Sequence, residues 1–307
     1  MLESFLTVGL QVLTLFILIA VGFFCGKGKM LDEHSVKKIT DILLYIIAPC
    51  VIVRSFIREF DPDMMIGILI VAVSAIAVHA FSIAVATLVF RSKDEGRKRV
   101  LRFGTIFSNC SFMSIPLQQQ IIGNDGVLYG ATFVAMFNLI AWSYGVTLMQ
   151  GRGKGISVKK IIINPSIICV FVGMIIFLWS IPVHDIIYKP LSYLADLNTP
   201  LPMLVIGYYL SKGSLKSAFT DKMAYVSVFL RIIAIPAVAM TVLYLCGVRG
   251  DMLTSLVISV SAPTASITTM FSAKFDCDTE LSVKLVTLST LLSMITMPIF
   301  VSIAQLK

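Results

Sequence analysis

The chain has 307 residues, 57% of them hydrophobic and only 14% charged, with a formal net charge of +8. So little polar surface excludes a soluble globular protein of this length, and continuous rather than alternating apolar runs exclude a membrane β-barrel. Lys and Arg of membrane proteins gather in cytoplasmic loops, so the basic balance does not point to nucleic acid.

Charged and turn-rich breaks divide the sequence into ten predicted spans: 5–26, 36–57, 64–90, 100–123, 126–149, 160–180, 187–211, 222–246, 251–274 and 279–305. Runs such as Phe5–Cys25 and Met65–Phe90 reach about 20 residues, enough for a helix to cross roughly 30 Å of hydrocarbon. The expected class is an all-α polytopic membrane protein. Span 1 follows Glu3 rather than a basic leader, so it is expected to stay as a membrane helix and not to be cleaved. Span 2 carries Pro49 in IAPC, a candidate flexible wall or a simple kink. Span 3 carries His79 midway, read as a satisfied buried imidazole ahead of a proton-coupling group.

Span 4 contains SNCSFMSIPLQQQ, residues 108–120, a polar and proline-broken patch in apolar surroundings. Pro116 lacks an N–H, and its ring conflicts with the carbonyl at Phe112, so a break is predicted around Cys110–Phe112. Freed backbone groups in hydrocarbon need partners. Ser108, Asn109, Ser111 and Ser114 are at hand, and so is a ligand. A half-helix beginning near Ser114 would aim its positive end at the break, which suits a carboxylate. The alternative is a plain proline kink.

Span 7 contains NTPLPM, whose Pro200 and Pro202 make a continuous helix improbable. In span 8, two roles are open to Arg231 besides snorkelling: pairing an anionic substrate, or neutralising helix C-terminal carbonyls. Span 9 contains SVSAPTASITT, small and hydroxyl-rich around Pro263, with Ser261 and Thr264 beside it. Two proline-interrupted spans in matching positions point to a binding site where they meet. Helix gluing by the same hydroxyls is the alternative.

With the N-terminus outside, 19 Lys and Arg fall in or beside inside loops, five fall outside, and Arg231 lies within a span. That split predicts ten spans with both termini outside, multi-pass in the cell membrane. Pro49 and Pro200 are 151 residues apart, and Pro116 and Pro263 are 147 apart. Halves 1–150 and 151–307 hold five spans each, so they must insert in opposite orientation, as two inverted repeats. The six Cys show no metal spacing. No acid pair sits mid-span, which disfavours a cation pump and favours a neutral or anionic substrate. Enzyme signatures (Walker loop, HExxH, GxSxG, CxxC) are absent. Neither an enzyme nor a cofactor is expected.

The segments SNCSFMSIPL, IIGNDGVLYGATFVAMFNLIAWSYG and SAPTASITTMFSAKFDCD resemble the auxin efflux carrier family. Asn109 keeps that family's spacing of seven residues before the span-4 proline. The resemblance implies a fold similar to sodium/proton antiporters, with broken helices 4 and 9 crossing at Pro116 and Pro263. It implies a scaffold of spans 1, 2, 6 and 7 and a mobile unit of spans 3–5 and 8–10. It also implies transport of small organic anions, malate-like or auxin-like, with Asn109 at the substrate. Only about Gln150–Lys159 connects spans 5 and 6, and Met65 and Gly67 stand where plant carriers place a Lys near the start of span 3. These departures point away from auxin and toward a compact, bacterial, malate-permease-like member. A sodium-coupled symporter similar to bile-acid carriers, or a non-transporting receptor, is the alternative. A lipid bilayer is the expected surrounding. The oligomeric state is open, a homodimer being one option.

Overall fold

The computed structural model describes residues 2–151, 165–212 and 221–306. The basic residues Arg152, Lys154, Lys159, Lys160, Lys216 and Lys307 of the orientation count lie outside the described residues. Helices follow one another as α1 (Leu2–Lys27), α2 (Glu33–Phe56), α3 (Pro62–Val89) and α4 (Glu95–Ile106). Next come α5 (110–121), α6 (Asn124–Gln150), α7 (Pro165–Leu178), α8 (Asp185–Asp196) and α9 (Pro200–Lys212). The series ends with α10 (Lys222–Leu245), α11 (Gly250–Ser261), α12 (Ile267–Lys274) and α13 (Thr279–Gln305). Five of these are long and apolar enough to cross a membrane: α2, α3, α6, α10 and α13. The described helices fall where the sequence places apolar spans, residues 160–164 of span 6 lying outside the described residues, and helix is interrupted within spans 4, 7 and 9.

Helix starts are set by side chains at the polar ends. Asp32, Asp61, Asp94, Asp221 and Asp278 cap α2, α3, α4, α10 and α13, each carboxylate accepting from a first-turn N–H. This places acids where the helix dipole favours them and keeps them out of the hydrocarbon. Arg97 at the start of α4 pairs with Asp221 and lies 3.8 Å from Asp278, so one guanidinium braces the starts of three helices.

Four of the prolines are handled in two ways. Pro200 opens α9 after a break at 197–199, at a helix start where its missing N–H costs nothing. Pro49, Pro116 and Pro236 instead follow π turns at Leu43–Ile47, Cys110–Ser114 and Leu230–Ala234. The wider turn removes the carbonyl four residues back from the ring's path, so the helix continues. Pro49 is therefore a point of continuous helix and not an unwound wall.

Packing is closest between α1 and α9. A methyl at Gly22 would overlap the Leu204 carbonyl, and one at Gly207 would overlap the Ile19 carbonyl and the Phe23 nitrogen. Small residues at 22, 26, 207 and 211 let these two backbones touch, which is how helices gain dispersion contact where lipid supplies no hydrophobic drive. Gly207→Leu is expected to lower stability by about 3 kcal/mol through overpacking. Gly9→Ala, with nothing within 4 Å, should leave it unchanged or slightly raised. Thermal melts of the two detergent-solubilised variants check both.

Candidate functional site

The centre of the molecule is a crossing of two unwound segments. α4 stops at Ile106 and Phe107 is extended, with φ −99° and ψ 116°. α11 stops at Ser261, and Ala262 is extended as well, with φ −59° and ψ 148°. Ser108 then pairs with Thr264 in an isolated antiparallel bridge. The Asn109 N–H donates to the Pro263 carbonyl at 2.7 Å, and the Ala265 N–H donates to the Phe107 carbonyl at 2.9 Å. Each segment thus supplies the partners that hydrocarbon cannot. Pro263 contributes an acceptor alone, so its missing N–H leaves no orphan.

Side chains lock the crossing to its neighbours. The Thr264 hydroxyl donates to the Gly104 carbonyl at 3.0 Å, and the Thr264 N–H donates to Ser289 Oγ at 3.0 Å. Ser114 Oγ donates to the Ile258 carbonyl at 3.2 Å. Gln118 Nε2 donates to the Ser255 carbonyl and to Ser259 Oγ at 3.0 and 2.9 Å, tying α5 to α11.

Arg231, on the π turn of α10, is 1% exposed. Its Nη1 donates to the carbonyls of Thr105 and Ile106 at 3.2 and 3.0 Å, and its Nη2 donates to the carbonyl of Val260. These carbonyls end α4 and α11, the negative ends of two helix dipoles. The planar guanidinium reaches both at once, which a single ammonium does less well. The structure therefore gives Arg231 the second of its two open roles. It does not snorkel, and it is not among the residues lining the cavity below.

The positive ends converge elsewhere. A cavity of about 50 Å³ is lined by Ser108, Asn109, Ser111 and Phe112 from the first break and by Ala265, Ser266 and Ile267 from the second. Leu44, Tyr45 and Ala48 of α2 complete it, with Phe137, Asn138 and Trp142 of α6 and Pro165 of α7. The first N–H groups of α5 and α12 have no intrahelical partner, and both helix starts border this cavity. Asn109 is 4% exposed, and its side-chain amide finds no partner among the described residues. Ser266 is 5% exposed, and its buried Oγ is likewise unpartnered.

Of the predicted site residues, Ser108, Asn109 and Ser111 line this cavity. Pro263 and Thr264 form the crossing, and Ser261 ends α11 with its hydroxyl 3.5 Å from the Ile258 carbonyl. None of these three lines the cavity. Pro116 is corrected. The break falls at 107–109, ahead of the expected Cys110–Phe112; a π turn fills Cys110–Ser114, and the α-helix proper begins at Ile115, with Ser114 at its N-cap as expected. Pro116 lies inside α5, accommodated by the π turn, and the crossing point is Ser108 with Thr264. Sequence reasoning missed Ser266, Asn138, Tyr45 and Trp142. Asn138 carries a readable signal, a lone amide within the apolar run FVAMFNLIAW. His79 is a satisfied buried imidazole, its Nδ1 2.7 Å from the Ala75 carbonyl and its ring among Phe107, Phe133 and Phe137.

A family model described as "Membrane transport protein" matches residues 7–301. The chain belongs to the auxin efflux carrier family of membrane transport proteins. Among similar curated proteins, an uncharacterized transporter of Methanothermobacter thermautotrophicus is 24% identical over 294 residues, covering 94% of this chain and 96% of that one. An uncharacterized transporter of Methanocaldococcus jannaschii is 24% identical over 297 residues, covering 92% and 94%. The family and these relatives are transporters, not enzymes. The apolar helices and the family together make this a membrane-embedded transporter.

Arg231→Met in this transporter removes every side-chain donor from three buried carbonyls. The variant is expected to lose at least about 3 kcal/mol of stability, since an unsatisfied buried group costs about 1–3 kcal/mol. Arg231→Lys should recover part of that loss, because one ammonium reaches fewer of the carbonyls. Thermal melts of the three proteins in detergent test the ranking.

Proposed function

We propose that the protein is a secondary transporter of small organic anions, working by alternating access in the cell membrane. The observation that carries this reading is the convergence on one cavity of two helix N-termini, the free Asn109 amide and the free Ser266 hydroxyl. Oriented N–H groups and a neutral amide suit a carboxylate, and in a low-dielectric surround their attraction is strong. With Arg231 held on the carbonyl ends, no lining side chain among the described residues carries a charge that would compete with or neutralise the substrate.

The rest of the reading is architectural. Ten spans form two inverted five-helix repeats, 1–150 and 151–307, with both termini outside. Spans 4 and 9 are the broken pair of a sodium/proton antiporter-like fold. A unit of spans 3–5 and 8–10 moves against a scaffold of spans 1, 2, 6 and 7, exposing the cavity to either side in turn. Three observations support this division. The splits fall in spans 4, 7 and 9, α1 and α9 pack backbone to backbone within the scaffold, and Arg97 braces three helices of the moving unit.

Asn109→Ala is expected to abolish uptake of labelled organic acids into proteoliposomes while the melting temperature stays within a few degrees of the parent. Asn109 makes no side-chain bond that holds the fold, so a folded, inactive variant is the expected outcome. Unchanged uptake refutes the role given to Asn109.

A further inference from the structure

At one end of the bundle, the linker between α2 and α3 ties three elements together. Arg58 is held to the end of α2 by its Nε, which donates to the Ser55 carbonyl at 3.0 Å. The Phe60 N–H donates to Ser180 Oγ, just past α7, at 2.8 Å. From this anchored linker the Arg58 guanidinium reaches across to the start of α6. Its Nη1 pairs with Asp125 at 2.5 Å, and its Nη2 donates to the Asn124 carbonyl at 3.0 Å. Two charge-assisted bonds from one planar group hold the helix ends at one distance and one angle.

Beneath the pair lies an apolar seal. Ile52 and Phe56 of α2, Ile68 of α3, Leu128 and Ala131 of α6 and Phe177 of α7 form one buried cluster. Along α6, the ion pair at 125 is followed by the seal at 128 and 131, then by the cavity lining at 137, 138 and 142. Along α2, which runs the other way, the lining at 44, 45 and 48 precedes the seal at 52 and 56, and Arg58 comes after both. On α7 the lining at 165 again precedes the seal at 177. A helix rises about 9 Å between 131 and 137. The seal therefore closes the cavity off from this end, and the ion pair lies beyond it.

The other ion pairs join different elements. Arg97 ties helices of the proposed moving unit to one another through Asp221 and Asp278. Arg54 and Asp196 tie α2 to α8 inside the proposed scaffold. The remaining pairs among the described residues each lie within one helix. Among the described residues, Arg58 with Asp125 is thus the one ion pair that joins the scaffold to the moving unit.

Resting on the proposed alternating access, we infer that Arg58 and Asp125 are the latch of a gate at this end, which on the proposed topology is the outer one. While the pair holds, α6 stays against α2 and α7 and the seal keeps the cavity closed here. Opening requires the pair to part and both ions to be hydrated. The Asp125 side chain is 45% exposed and that of Arg58 17%, so water reaches the carboxylate already. A pair so placed biases the closed state without locking it, unlike a fully buried one.

The test is labelling of Leu128→Cys by a water-soluble maleimide in detergent, read at that site by peptide mass spectrometry. This seal position is buried while the end is closed, and with fast, reversible opening the labelling rate follows the open population. Adding Arg58→Gln should raise the rate about tenfold, the worth of roughly one charge-assisted hydrogen bond. Arg58→Lys, which keeps the charge, should raise it less. Arg54→Gln, which breaks a pair of similar length inside the scaffold, should leave it unchanged. Ala131→Cys is the reporter if Leu128→Cys fails to fold. A rate unmoved by Arg58→Gln, or raised equally by Arg54→Gln, overturns the latch and leaves the transport reading standing. Uptake of labelled organic acids into proteoliposomes of the parent checks that reading separately. No uptake there overturns the proposed substrate class, while the labelling, which needs no substrate, still decides the latch.

Discussion

Two backbone hydrogen bonds, Asn109 N–H to Pro263 and Ala265 N–H to Phe107, carry the centre of this molecule. A membrane helix cannot stop midway unless its freed amides and carbonyls find partners inside the protein. Here each interrupted chain is the other's partner. Removing either break would strip the second of its acceptors, so the two interruptions stand or fall together. Much of the neighbouring polarity has the same purpose. Thr264 and Ser289 fix the second break, and Ser114 and Gln118 fix the helix that follows the first.

The crossing also sorts charge. A broken pair creates four helix ends, two negative and two positive. The negative ends, at Ile106 and Val260, meet on Arg231, while the positive ends open onto the cavity. Without a cation on the carbonyl side, the opposed dipoles would nearly cancel for a ligand between them. With Arg231 in place, the cavity lies on the positive side of the break, though the described residues that line it are uncharged. On the proposed reading, attraction for an anion arises from the backbone geometry of the two helix starts, with Arg231 holding the opposite, carbonyl ends.

Much of this was legible in the sequence and some was not. Apolar length located the helices, because the hydrocarbon thickness fixes how many residues a span requires. Pro200 and Pro263 located real breaks, since each sits where a missing N–H is harmless. Pro116 misled, because a proline constrains only the turn before it, and a π turn absorbs that constraint without unwinding the chain. The true break at 107–109 depends on Thr264 and Pro263 across the crossing, a partnership that no local pattern in span 4 encodes. Asn109 and Ser111 were found through their polarity. Ser266 was overlooked beside the more conspicuous Ser261 and Thr264, because which hydroxyl faces the cavity depends on where helix α12 begins. Arg231 was visible as a buried cation, but its partners are backbone carbonyls, and those acceptors occur at every residue.

The π turns link the prolines to the cavity. The carbonyls that Pro49 and Pro116 would strike belong to Tyr45 and Phe112, each within a π turn, and both residues line the cavity. A third π turn, Ala141–Gly145, has no proline after it, yet its Trp142 lines the cavity as well. The fourth, Leu230–Ala234, carries Arg231. Proline alone does not produce the feature, since Pro190 and Pro298 sit in helices without it. What the four share is position, around the crossing. A π turn fits one extra residue into a helix and turns the following side chains relative to the preceding ones. Helices that must remain unbroken in lipid can still re-aim a single side chain toward a site in this way. The widened turns supply the cavity wall that straight α-helices, packed ridge into groove, would have closed.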